Sequence, residues 1–202
     1  DPVRHLGNRS SGRMGYALAE AARDLGASVR LVTAPTCLRQ PFGVESEEVR
    51  TAQEMHNAVM AALNRTDILI MAAAVADYRP ASVAEQKLKK GQGGLSLLLE
   101  RTPDILMAVS QSDRRPAVLV GFAAETQDLL VNARNKLRRK GLDLIVANDV
   151  SASDSGFTVS TNRVTLLRPK GEPQDLPLMT KAEVAERVLD TVVGISREKE
   201  HD

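Results

Sequence analysis

Short apolar runs alternate along this chain with stretches of helical periodicity, and that alternation makes an open, mostly parallel Rossmann-like α/β sheet flanked by helices the expected fold. The runs fall at residues 28–33, 67–74, 117–122 and 143–147. The second, Asp67-Ile68-Leu69-Ile70-Met71-Ala72-Ala73-Ala74, is apolar without a break after Asp67, the pattern of a strand covered on both faces. Met14, Ala17, Leu18, Ala21, Ala22 and Leu25 recur at helical spacing, and Gly26 is a natural stop for that helix. Further helices are expected over 52–64 and 127–140. Another should begin at Thr102-Pro103-Asp104, where a capping hydroxyl, a first-turn proline and an acid coincide. Thr180 and Glu183 have the spacing of a capping box for a last helix. Minor strands are expected near 48–51 and at 95–99, and segments 163–167 and 175–178 should pair across 169–173 as a small β-ribbon in the C-terminal part.

In such sheets ligands bind beyond the carboxyl ends of the strands. The lysine-rich stretch 75–94 is long for a loop, and loops of that length are usually functional or mobile. No repeat or linker divides the chain, so residues 1–202 are read as one domain. A glycine-bearing loop entering a helix normally follows a strand, whereas this chain opens in the loop; the expectation is a domain trimmed from a longer polypeptide.

Composition narrows the function classes. No apolar run approaches the ~18 residues of a membrane span. Cys37 is the single cysteine, which fits a reducing cytoplasm. The net charge of +1 and an aromatic content of 2% without tryptophan offer little to nucleic acid. His5, His56 and His201 lie far apart, with no zinc-type spacing.

Five segments carry candidate chemistry. The loop from Gly7 to Gly12 has P-loop spacing, but Arg13 and Met14 stand where Lys and Ser/Thr belong. Ser10, Ser11, Gly12 and free backbone N–H groups at a helix start suit an anion, and equally suit a plain helix cap. Ala72, Ala73 and Ala74 let a ligand approach the backbone where a strand ends; Asp77 would face that cleft, or be a solvated acid on a turn. Lys87, with Lys89 and Lys90, could close over a polyphosphate, though charge runs are usually solvated. Lys136 and Lys140 share one helix face and Arg134 and Arg138 another, a spacing that serves a triphosphate or merely the helix C-terminus. Phe122 could flank a base or fill the core.

Taken in order, N-R-S-S-G-R-M-G at 8–15, A-A-V-A-D-Y-R-P at 73–80, K-L-K-K at 87–90, V-G-F-A-A-E-T at 120–126 and L-I-V-A-N-D-V at 144–150 resemble the phosphopantothenate–cysteine ligase domain of bacteria over nearly the whole chain. That domain is commonly the C-terminal half of a bifunctional protein whose other half is a flavin-dependent decarboxylase. The resemblance implies that 4′-phosphopantothenate attacks CTP with Mg2+ present, forming an acyl-cytidylate and pyrophosphate, and that the cysteine amine then displaces CMP. It implies catalytic roles for Asn8 and Lys87, and nucleotide contacts from Ala74, Asp77, Lys87, Phe122, Lys136, Lys140 and the segment Thr102, Pro103, Asp104 and Ile105. Ser10, Ser11 and Gly12 would hold phosphate or substrate. The magnesium ligands are not implied. It also implies a homodimer and a preference for CTP over ATP. Thr102 departs from the family's frequent asparagine, Gly7 from an expected serine, and the family's upstream glycine turn is absent.

Two other readings compete. An NAD(P)-dependent reductase would show G-x-G-x-x-G or Y-x-x-x-K, but Tyr16 is followed by Glu20 and Tyr78 by Ser82 at the lysine position. A non-catalytic nucleotide-binding module would bind CTP without releasing pyrophosphate.

Overall fold

A computed structural model describes residues 1–90, 93–125, 128–149 and 161–201. Gly91, Gln92, Thr126, Gln127 and Val150, which fall in segments singled out above, lie outside the described residues. Among the described residues the main sheet has five strands, in the order β10 (Gln174–Asp175), β9 (Val164–Leu167), β7 (Leu144–Asp149), β6 (Val118–Glu125) and β3 (Ile68–Met71). Its heart is the parallel trio β3 (Ile68–Met71), β6 (Val118–Glu125) and β7 (Leu144–Asp149). β9 (Val164–Leu167) and β10 (Gln174–Asp175) continue it antiparallel, forming the expected C-terminal ribbon. β1 (Arg30–Thr33) and β2 (Glu45–Glu48) make a separate parallel pair.

Side-chain alternation explains why the trio is apolar throughout. Leu119, Ala123, Ile145 and Ala147 point to one face, where they meet α2 (Ala52–Ala62), α3 (Ile105–Ser110) and α4 (Leu129–Arg139) through Met55, Val59, Leu106, Val109, Ala133 and Leu137. Val118, Val120, Leu144 and Val146 point to the other, where Leu18 of α1 (Arg13–Asp24) and Val184, Val188, Val192 and Ile195 of α5 (Lys181–His201) cover them. Gly121 is required at its place in β6: a Cβ there would lie 2.7 Å from Leu142 Cδ1 and 3.2 Å from Leu106 Cδ1. The fold class is therefore the one expected, a mostly parallel sheet with helices on both faces.

Several boundaries differ from expectation. The strand expected near 48–51 lies earlier, at β2, because Thr51 is already the N-cap of α2: its hydroxyl accepts from Glu54 N, and Glu54 reaches back to the Thr51 N–H. The run at 67–74 is a strand only over β3. Its residues pack toward both faces, yet stay partly exposed because β3 is an edge of the sheet. The strand expected at 95–99 lies at β5 (Leu99–Arg101), paired with an unexpected β4 (Tyr78–Pro80). In place of a strand over 175–178, β10 ends at Asp175 and β11 (Met179–Thr180) pairs with β8 (Thr161–Asn162). The Thr180–Glu183 box is present at the start of α5, and its hydrogen bonds hold the exposed Glu183 carboxyl below its ordinary range.

Candidate active site

The cap of α3 is not the expected one. Asp104 occupies the N-cap and accepts from Met107 N at 3.2 Å. Thr102 is spent differently: its hydroxyl donates to Ala76 O at 2.6 Å and its N–H to Asp77 O at 3.0 Å. These two bonds sew the root of the β4–β5 ribbon together just beyond the carboxyl end of β3. A cavity of about 140 Å3 opens there, lined by Met71, Ala73, Val75, Ala76 and Asp77 on one side. Thr102, Pro103, Asp104, Ile105 and Leu106 form a second wall, and Phe122, Lys136 and Lys140 a third.

Both α4 lysines turn inward, as their shared face predicts. Lys136 Nζ donates to Phe122 O at 2.6 Å, and Lys140 Nζ sits 2.8 Å from Asp104 Oδ1. Burial alone would raise the Asp104 pKa. Hydrogen bonds from Lys140 and Met107 N, with the charges of Lys140 and Arg139, outweigh it and hold the carboxyl below its ordinary value. Arg134 and Arg138 remain exposed on the outer face.

The remaining sequence candidates are not on the lining of this cavity. Asn8 Nδ2 donates to Val75 O at 3.2 Å, bringing the opening loop to the rim. Ser10 and Gly12 engage each other, Gly12 N donating to Ser10 Oγ at 3.4 Å, and Gly12 takes φ 73° as it enters α1. Ser10, Ser11 and Gly12 do not line the cavity, nor does Ala74, although its neighbours Ala73 and Val75 do. Lys87 is exposed on the long connection between β4 and β5. That connection is tied at the next residue: Leu88 N donates to Asp1 Oδ2 at 3.2 Å, and Leu88 O accepts from Arg4 Nη2 at 3.0 Å. Sequence reasoning missed Met71 and Leu106 on the lining and the Asp1 and Arg4 ties of the ribbon connection. Only Met71, just before the alanines at a strand end, carried a local signal. Among the described residues no group of three or more His, Cys, Asp or Glu side chains could hold a metal ion.

The profile of the DNA/pantothenate metabolism flavoprotein C-terminal domain matches residues 1–195. The chain belongs to this family. The coenzyme A biosynthesis bifunctional protein CoaBC of Bacillus subtilis is 47% identical over 199 residues, covering 98% of this chain and 49% of that protein. CoaBC of Vibrio vulnificus is 50% identical over 194 residues, covering 95% of this chain and 48% of that protein. The chain thus spans about half the length of the curated relatives it matches. The crystal structure of the C-terminal domain of CoaBC superposes with a TM-score of 0.82 at 42% identity, covering all of this chain and 90% of the other. A Cab2 variant in complex with phosphopantothenate-cysteine shares the fold, with a TM-score of 0.76 at 16% identity.

Proposed function

We propose that this domain condenses 4′-phosphopantothenate with cysteine at the expense of CTP, as a ligase of coenzyme A synthesis in the cytoplasm. The observation that carries this reading is convergence. Asp77, Thr102, Pro103, Asp104, Ile105, Phe122, Lys136 and Lys140, drawn from four separate stretches of sequence, line one cavity with Asn8 at its rim. The chemistry proposed is the one that the resemblance to the bacterial ligase domain implies. A carboxylate oxygen of phosphopantothenate attacks the α-phosphorus of CTP, the bond to the β-phosphate breaks, and pyrophosphate leaves. The cysteine amine then attacks the activated carbonyl, an amide forms, and CMP leaves with the bonding electrons. No enzyme nucleophile is required, so the protein contributes position and charge. Lys136 and Lys140 meet the phosphates, the Asn8 amide donates to an oxygen of the acyl-cytidylate, and Lys87 approaches from the ribbon connection. Magnesium bound with the nucleotide would neutralise part of the phosphate charge. Asp77 and Asp104 are the carboxylates on the lining, and the side chain of Asp104 is already engaged by Lys140.

The ligase works as a homodimer in this reading, and in the native polypeptide a flavin-dependent decarboxylase half precedes it. No helix among the described residues is long and apolar enough to cross a membrane, and the substrates are small molecules rather than nucleic acid. The test follows pyrophosphate in a mixture of protein, Mg–CTP, phosphopantothenate and cysteine, omitting one component at a time. Release that requires CTP and phosphopantothenate, with product formed only when cysteine is added, is the expected result. CTP binding without pyrophosphate release would leave only a nucleotide-binding module. Substituting ATP for CTP tests the base preference.

A further inference from the structure

The side chain of Asp104 points away from the role its place on the lining suggests. One oxygen, Oδ1, accepts both the Met107 N–H and the Lys140 ammonium. The carboxylate is therefore fixed by the cap of α3 before it meets the lysine. Exposure is unequal across the pair: the Lys140 side chain is 12% exposed and that of Asp104 is 45%. The carboxylate is the more exposed partner, and most of the Lys140 side chain that reaches it is covered.

Lys140 needs such a partner. It is the C-cap of α4, at the negative end of that helix's dipole, which attracts a cation. Left alone, a flexible lysine at that position would fold back over its own helix. Asp104, 36 residues earlier in sequence, draws the ammonium across into the cavity. An ammonium has three donors, so the pairing leaves two for oxygens of a ligand.

We propose that Asp104 is a positioning residue that presents Lys140 to the phosphates of the nucleotide, acting through the lysine rather than by touching the ligand. The inference rests on the CTP-dependent reading of the cavity and assigns the side chain of Asp104 a task within it. Asparagine at this position retains the N-cap of α3, because Asn and Asp cap equally well, but removes the charge that holds Lys140.

The test is a double-mutant cycle with Asp104→Asn and Lys140→Met, read as CTP affinity by calorimetry at one salt concentration with thermal melts alongside. Asp104→Asn is expected to weaken CTP binding roughly tenfold with only a small fall in melting temperature, and to have no further effect in the Lys140→Met background. In nucleotide-free protein, NMR should show a persistent Lys140 ammonium signal that is lost in Asp104→Asn. The same loss in both backgrounds would mean that Asp104 acts on the nucleotide directly or through α3, and the inference fails. Affinity equal to or tighter than wild type in Asp104→Asn would also overturn it, because the carboxylate would then be competing with the phosphates. Wild-type protein that does not bind CTP would instead remove the reading of the cavity on which the inference stands.

Discussion

Replacing Asn8 by Asp exchanges an amide that donates to Val75 O for a carboxylate that can only accept and that repels an anionic intermediate. Asn8→Asp is expected to lower the ligation rate by about 10²–10³ while leaving the melting temperature in place. Steady-state turnover measured beside a thermal melt checks this, and wild-type turnover in a folded variant would remove Asn8 from the mechanism. The lysines invite a comparison at the same scale. Lys136→Ala and Lys140→Ala should each weaken CTP binding roughly tenfold, whereas Arg134→Ala and Arg138→Ala, on the exposed face of α4, should change it by less than about twofold. Calorimetry at fixed ionic strength separates the two faces, and equal losses at all four positions would mean a diffuse basic surface. That the lysines share a face was legible from their spacing. Their acceptors were not, because Phe122 O and Asp104 lie 14 and 36 residues away and are brought near only by the packing of α4 on the sheet.

Among the elements, long periodic segments were legible and short ones were not. The helices α1, α2, α4 and α5 follow from apolar spacing and caps, since each buries a stripe that its own sequence displays. β4 has three residues including Pro80 and no alternation to announce it; pairing with β5 is what makes it a strand. The Thr102 misreading has a similar cause. Threonine and aspartate two positions apart both cap helices well, and the structure uses the hydroxyl to tie the ribbon root instead. Two expectations belong to this scale. Gly121→Val should overpack the contact of β6 with Leu142 and Leu106 and cost about 1–3 kcal/mol of stability in a urea titration. Because Leu106 also lines the cavity, CTP affinity should fall with it. The Asp104 carboxyl has a folded pKa below its ordinary value, so its contribution to stability is complete above that value and is lost as pH falls through the folded one. Urea midpoints of wild type and Asp104→Asn should therefore converge below about pH 3.8. A difference that persists unchanged into stronger acid would contradict the ion pair.

For the molecule as a whole, the alternation of strands and helices was enough to read an open, mostly parallel sheet flanked by helices, but not its division into a main sheet and a detached β1–β2 pair. Which strands neighbour one another depends on crossover packing that no local pattern encodes. The β4–β5 ribbon and its connection display Tyr78, Val83, Leu95, Leu97 and Leu98, the last 80% exposed. An apolar surface of this kind on a ribbon rooted in the cavity wall is where the proposed homodimer would form. Light scattering at micromolar concentration should give twice the mass of one chain, and Leu98→Asp should shift it toward the monomer; an active wild-type monomer would refute the proposal. The cover that α5 gives the sheet also bears on how the chain is made. Val118, Val120, Leu144 and Val146 are joined long before residues 181–201 that shield them. A chain complete only to Thr180 therefore has α1 but not α5 to cover that side of the sheet, and the apolar surface left bare is one through which unfinished chains can associate.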